Sequence, residues 1–361
     1  MIFLIDGHSI AFRAFYALPE TLTTKDGFPT NVIHGFLMMI SKLVKNYDIE
    51  KIIITWDVSK KTFRNDIYQD YKANRSSSPE NFKIQIKELQ NLLTKFNLPQ
   101  VSLEGFEADD VLGSLSNYFN KQNKKVTIVT GDRDSFQLIS SKTKIMYTKR
   151  GISDVEIYDS EAFKEKYQIS TKQYVEYLAL KGDKSDNIPG LPGVGEKTAI
   201  SLLQKYKNIT NIYKNLNNLT PKLQSNFLDN KDILLMSKDL AMIKTDLDLH
   251  VPSTKLNETV FFDKQILEQS KKDISKYELS RFLGEREVVS EEKAEKKELK
   301  ISKIKDDINI DSIVFIFDNK NYFVNKKQYG EFESLEIFRN VISFSSQEIF
   351  NSHKNIRMNN F

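Results

Sequence analysis

Nine acidic residues stand in short motifs between the first strand-like run and a later glycine-bounded loop. They are Asp6 in Leu-Ile-Asp-Gly-His-Ser, Asp57 in Trp-Asp, Glu107, Asp109 and Asp110 in Glu-Ala-Asp-Asp, Asp132 and Asp134 in Asp-Arg-Asp, and Asp183 and Asp186 in Gly-Asp-Lys-Ser-Asp-Asn. Gathered at one place they would repel and raise each other's pKa, and bound cations would relieve that conflict. Oxygen-only donors suit Mg²⁺ or Mn²⁺, whereas zinc prefers His or Cys. The chain has no cysteine, and His8, His34, His250 and His353 show no ligand spacing. Two such ions, roughly 4 Å apart, activate a water and stabilise the leaving oxygen in phosphodiester hydrolysis, with no nucleophilic side chain needed. A single strand-end aspartate, taken alone, is better explained by capping the next helix. The set of nine, with its paired motifs, is what points to metal.

These residues share a site only if the chain brings them to one edge. Ile2 to Asp6, Lys51 to Thr55 and Val126 to Thr130 are apolar at nearly every position, as strands covered on both faces should be. Helical patterns alternate with them: His34 to Val44, Val111 to Phe119, and a stretch after Ser78-Pro79 in which Phe82, Ile86, Leu89, Leu93 and Phe96 recur at helical spacing. In that stretch Ser78 is expected to cap and Pro79 to take the first helical position. The expected fold is α/β, a mostly parallel doubly wound sheet whose strand ends share a crevice. The expected organisation is an α/β core over 1–168 with an arch at about 58–98, a helical domain over 169–285, a charged linker over 286–308 and a short tail over 309–361. Within the tail, Ser312 to Phe317 and Tyr322 to Val324 read as a hairpin.

Two further segments could meet a polyanion. Lys60, Lys61, Arg64, Lys72 and Arg75 follow Asp57 in a connection too long for a simple turn, with Tyr71 among them. Cations over an acidic crevice would offset the repulsion of an approaching phosphate, and Tyr71 could stack on an unpaired base. In isolation the stretch reads better as a solvated surface helix, and its position next to the acids is what favours the phosphate reading. Leu191-Pro-Gly-Val-Gly-Glu-Lys-Thr-Ala199 joins two helical segments through a glycine turn. Gly193 and Gly195 would let the backbone approach a phosphate, with Lys197 and Thr198 available from the next helix. The spacing is not that of a nucleotide-binding phosphate loop, and a plain turn between packed helices is the bland alternative.

Bulk composition narrows the class. Hydrophobic residues make up 40% and charged residues 28% of 361, an ordinary globular balance. No apolar run is long enough to span a bilayer, so no membrane partner is expected. The N-terminus lacks a basic leader, and the absence of cysteine is the usage expected in a reducing cytoplasm. A formal net charge of +4 permits a nucleic-acid partner without requiring one.

At this point residues 1 to about 285 resemble the 5′ nuclease region of bacterial DNA polymerase I and the related flap endonucleases. The resemblance rests on the acidic motifs above, on Tyr71-Lys-Ala-Asn-Arg75, on Gly182 to Gly190 and on Pro192 to Ala199, in this order. It implies that all nine acids hold two or more Mg²⁺ ions. It implies too that Lys72 and Arg75 belong to an arch that threads or clamps a 5′ single strand, and that the glycine hairpin binds duplex DNA and holds K⁺. The expected activity is 5′-3′ exonuclease and 5′-flap endonuclease cleavage in primer removal and repair. No polymerase activity is expected of a chain ending at Phe361, whose tail resembles at most the start of the exonuclease-like domain. Two rivals are an RNA-cutting enzyme with the same core, against which the hairpin argues, and a catalytically silent DNA-binding module, against which the intact acids argue. Nothing in the sequence fixes oligomeric state, and a monomer is the default expectation.

Overall fold

The apolar runs at Ile2–Asp6 (β1), Lys51–Thr55 (β2) and Val126–Thr130 (β4) are fully buried central strands, as their lack of polar alternation demands. A computed structural model describes residues 1–150, 154–251 and 275–277, and the backbone of three strands between 313 and 332. Gln100–Val101 (β3), Thr143–Arg150 (β5) and Asp154–Tyr158 (β6) complete a six-stranded sheet in the order β3-β2-β1-β4-β5-β6. All neighbours run parallel except β6, which is antiparallel to β5.

Helices cover both faces, because alternate residues of a strand point opposite ways. Phe3 and Ile5 face a layer built from Gly7–Ala17 (α1), Asn31–Asn46 (α2) and, after the short Phe63–Ile67 (α3), Glu80–Lys95 (α4). Gly35 lets α1 and α2 close, since a Cβ there would meet that of Ala14 at 2.6 Å. Leu4, Ile53 and Ile128 face Ala108–Lys121 (α5) and a core shared with the helical segment. That segment comprises Ser160–Tyr167 (α6), Tyr174–Lys181 (α7), Glu196–Tyr206 (α8), Ile209–Lys214 (α9), Pro221–Asp229 (α10) and Lys231–Ala241 (α11).

Several expectations shift. α4 begins at Glu80 with Pro79 as its N-cap and no side-chain cap bond, so Ser78 does not cap it. The expected arch over 58–98 is shorter, because Phe82, Leu89, Leu92 and Leu93 of α4 are core residues against the sheet layer. Of the residues between Asp57 and the start of α4, Lys72, Arg75 and Ser78 overhang the strand ends and line the cavity there. A separate unit, Val288–Phe361, holds Ile313–Phe317 (β7), Lys320–Val324 (β8) and Tyr329–Phe332 (β9) in antiparallel order. The expected hairpin is β7–β8, with Phe317 opposite Lys320. The expected linker at 286–308 lies outside the described residues.

A buried ion pair ties the layers together. Arg64 of α3 is 2% exposed and donates to both oxygens of Asp110 at 2.7 and 2.9 Å, and to the carbonyls of Leu240 and Met242. Asp110, wholly buried, also accepts from the backbone N–H of Glu107 and Lys244. Arg64 is therefore not available to a DNA phosphate, and Asp110 has no oxygen left for a metal; both expectations are corrected. Removing one partner of such a pair strands the other's charge, at about 3–5 kcal/mol. Arg64→Met is expected to lower unfolding free energy in urea by that amount, and Arg64→Met with Asp110→Leu to recover most of it. A loss below about 1 kcal/mol in the single variant would contradict this anchoring.

Candidate active site

The carboxyl ends of β1, β2 and β4 and the N-terminus of α5 meet at one cavity of about 640 Å³. Asp6, Asp57, Glu107, Asp109 and Asp132 line it, together with Lys72 and Arg75. Each acid is placed by local chain chemistry. Asp6 ends β1 and caps α1, accepting from Ser9 N–H at 3.0 Å and from the Thr130 hydroxyl at 2.8 Å. Asp57 accepts from the backbone N–H of Ala108, the first residue of α5. Asp109 on that turn accepts from the Ser135 hydroxyl, and Asp132 from Asp134 N–H.

Asp183 and Asp186 arrive on a loop that only glycine can close. Gly182 and Gly190 both have positive φ, and a Cβ on Gly182 would meet the Ile188 carbonyl oxygen at 2.6 Å. Asp183 turns back on this loop, accepting from the backbone and hydroxyl of Ser185. Asp186 is 5% exposed and reaches the overhanging segment.

That segment is folded onto the acids. Lys72 Nζ lies 2.8 Å from Glu107 and 3.6 Å from Asp186, and Arg75 pairs with Asp186. Lys72 N–H also donates to the Asp186 carbonyl, and the Asn74 side chain to that of Lys184. Tyr71 is 5% exposed, its hydroxyl bonded to Glu107 and Asp186. It braces these carboxylates and presents no free face to a base, which corrects the stacking expectation.

Electrostatics divides the acids in two. Burial works to raise the pKa of Asp186, but Lys72 and Arg75 outweigh it and hold it below the usual carboxylate value. On the other side burial prevails: Lys72 and Arg75 act on Asp132, and Lys72 on Asp134, without offsetting it. Burial and the nearby Asp57 push Asp6 up to about 7. Burial, with Asp132 as the leading neighbour, pushes Asp109 and Asp134 well up, and burial raises Asp132 too. Among the described residues no three carboxylate or imidazole groups are already drawn into a set that could hold an ion. The donors nevertheless fit one: all are oxygens, and the Asp6–Asp109–Asp132–Asp134 side carries repulsion that a hard divalent cation would relieve.

The glycine hairpin follows directly on the loop that carries Asp183 and Asp186. Gly182, Asp183, Gly193 and Gly195 line a second cavity of about 600 Å³. Gly193 has φ +74°, Gly195 is the N-cap of α8, and Lys197 and Thr198 are exposed on its first turn. Sequence reasoning passed over Arg13 and His8, which also line the main cavity. Arg13 is held by the carbonyls of Lys149 and Gly131, and no spacing rule could have placed it there. His8 sat inside the first acidic motif but was set aside for lacking ligand spacing.

A doubly wound sheet with a carboxylate cavity at its strand ends, joined to helices that flank a glycine hairpin, is the architecture of the family that the chain matches. Residues 1–168 match the 5′-3′ exonuclease N-terminal resolvase-like domain, and residues 169–262 the 5′-3′ exonuclease C-terminal SAM fold. The chain belongs to the 5′-3′ exonuclease family. It is 39% identical over 250 residues to DNA polymerase I of Caldicellulosiruptor bescii, covering 69% of this chain and 29% of that protein. Against DNA polymerase I of Bacillus subtilis it is 34% identical over 319 residues, covering 87% and 36%. The chain thus spans about a third of the relatives it matches. In fold it is similar to T5 5′-exonuclease with divalent zinc bound, at TM-score 0.55, 20% identity, and coverage of 76% of this chain and 98% of that one. The catalytic core of Rad2 in complex with DNA substrate aligns at TM-score 0.50 and 18% identity, covering 78% and 90%.

The raised carboxyl pKa values fix a sign. An acid raised on folding binds its proton in the native state where the unfolded chain has lost it, so stability is full below about 3.8 and falls as pH rises toward about 7. Without divalent ions the melting temperature is expected to fall across that window, once the separately measured effect of global charge is subtracted. Millimolar Mg²⁺ should restore most of the loss at pH 7. Identical profiles with and without Mg²⁺ would contradict the assignment.

Proposed function

We propose that this chain hydrolyses DNA phosphodiesters where a 5′ single strand meets duplex, acting as a 5′-3′ exonuclease and 5′-flap endonuclease. The observation that carries the reading is the half-neutralised acidic cavity, open to solvent and flanked by Lys72 and Arg75. Asp6, Asp57, Glu107, Asp109, Asp132, Asp134, Asp183 and Asp186 are the groups to hold two or more Mg²⁺ ions. Bound there, such ions lower the pKa of water and neutralise charge on the leaving oxygen.

The chain's own residues do the rest. Lys72 and Arg75 sit at the rim with their carboxylate pairings ready to be exchanged for phosphate contacts. An incoming strand then meets positive charge before it meets the acids. Tyr71 keeps Glu107 and Asp186 in place while that exchange occurs. Duplex DNA is held by backbone contact at Gly193 and Gly195, with Lys197 and Thr198 on phosphates. K⁺ fits the same hairpin through its carbonyls. The helical part from 169 is, in this reading, the duplex-binding domain and the α/β part the cutting domain. One chain supplies every group, so a monomer suffices, working in the cytoplasm where bacterial DNA lies. Primer removal and repair are the processes such cutting serves.

A 5′-flap duplex incubated with Mg²⁺ is expected to be cut near the junction, and not with chelator. Asp132→Ala or Asp134→Ala should reduce cutting by at least about 10³-fold with DNA affinity little changed. Retained cutting at saturating Mg²⁺ would overturn the site. Lys72→Ala should slow single-turnover cutting by about 10–100-fold through lost phosphate placement, and an unchanged rate would remove it from the reaction. The same flap made of RNA is expected to be cut poorly.

A further inference from the structure

α1 starts from its cap at Asp6 and carries His8 on its first turn, so the imidazole lines the acidic cavity. The ring is braced. It stands edge-on to Trp56, with centroids 5.2 Å apart at 90°, and lies 6.4 Å from Phe82. Its Nδ1 accepts the backbone N–H of Asp57 at 3.2 Å, and the carboxylate of the same residue stands farther off, at 3.5 Å. A ring nitrogen that accepts carries no proton, so the neutral ring bears its proton on Nε2. Among the described residues Nε2 has no protein partner. The side chain is 23% exposed, leaving the Nε2 edge as its unused donor.

We propose that His8 contacts the substrate, its Nε2–H donating a hydrogen bond to a non-bridging oxygen of a DNA phosphate drawn into the cavity. This rests on the nuclease reading and names one of its contacts. The chemistry asks for such a group. A phosphate among carboxylates needs donors, yet each added positive charge competes with bound cations for the same acids. A neutral N–H holds a phosphate oxygen without that competition. Lys72 and Arg75 must first exchange their pairings with Glu107 and Asp186, whereas the His8 donor is unused from the start. The ring is not arranged as a metal ligand, since the nitrogen left over carries the proton.

The test uses the full chain with ¹⁵N-labelled histidine. Only four histidines are present, and the His8 signals are identified by their loss in His8→Leu. Long-range nitrogen–proton spectra should show His8 with its proton on Nε2, and addition of a 5′-flap duplex with Ca²⁺ in place of Mg²⁺ should shift that nitrogen. In single-turnover cutting with Mg²⁺, His8→Leu should be slower by about 10–100-fold, as for loss of a hydrogen bond to a charged group. His8→Gln, which restores an N–H donor, should recover most of the rate, a rescue that a purely structural role would not give. The proposal is overturned by a proton on Nδ1, by a nitrogen signal indifferent to DNA, by His8→Leu at the wild-type rate, or by His8→Gln as slow as His8→Leu. Should His8→Leu fail to fold, the wild-type spectra and His8→Gln still decide. Wild-type protein that never cuts the flap would instead refute the nuclease reading, while the spectra independently report the contact.

Discussion

Repulsion among carboxylates at the strand ends is the constraint to which the rest of the molecule answers. Parallel strands deliver their last residues to the same edge, and here those residues, or their neighbours, are acids. Folding therefore concentrates negative charge where burial makes it hardest to bear. Three local solutions coexist. Arg64 neutralises Asp110 outright and turns it into a structural anchor. Lys72 and Arg75 neutralise Glu107 and Asp186 from a segment at the rim, in contacts that solvent and phosphate can reach. Among the described residues Asp6, Asp109, Asp132 and Asp134 form no ion pair, and burial keeps their pKa values raised although Lys72 and Arg75 act on Asp132 from a distance. That unrelieved side is where a divalent ion has most to gain.

The helical segment is linked to this charge arrangement by more than connectivity. Gly190 N–H bonds the Ser237 hydroxyl of α11, while the same loop presents Asp186 to Tyr71, Lys72 and Arg75. Gln137, just beyond the Asp-Arg-Asp motif, donates to the Ala241 carbonyl and accepts from Ile243 N–H. After α11 the chain runs back along α5, where Gly113 admits the Lys244 carbonyl and Asp110 receives the Lys244 N–H. The loop ahead of the glycine hairpin and the chain after α11 are thus both bonded to elements that carry acids.

Much of this was legible in the sequence because it follows from period and position. Unbroken apolar runs gave β1, β2 and β4, and the acids after them pointed to one edge. The inner strand β5 and the edge strand β6 were passed over, since sequences that mix polar and apolar residues, such as Thr143 to Arg150 and Asp154 to Tyr158, read as ordinary polar chain when their partners are unknown. Arg64, Tyr71 and Asp110 were misassigned for a common reason: residue type tells what a side chain can do, whereas burial decides what it does. Nothing local separates a guanidinium that meets phosphate from one enclosed by Asp110 and two carbonyls. The glycine-closed loop could be seen as a loop, but not that its two aspartates part ways, one turning back on Ser185 and the other reaching across to Arg75.

The central claim is that a divalent cation replaces protons on this uncompensated set of aspartates. Calorimetric titration of the protein with Mn²⁺ at pH 6.5, repeated in two buffers of different ionisation enthalpy, counts the protons released per ion bound. At least one proton released for each chain, with two or more ions bound and release fading by pH 8.5, is the expected result. Binding without proton release, or no binding at all, would contradict it.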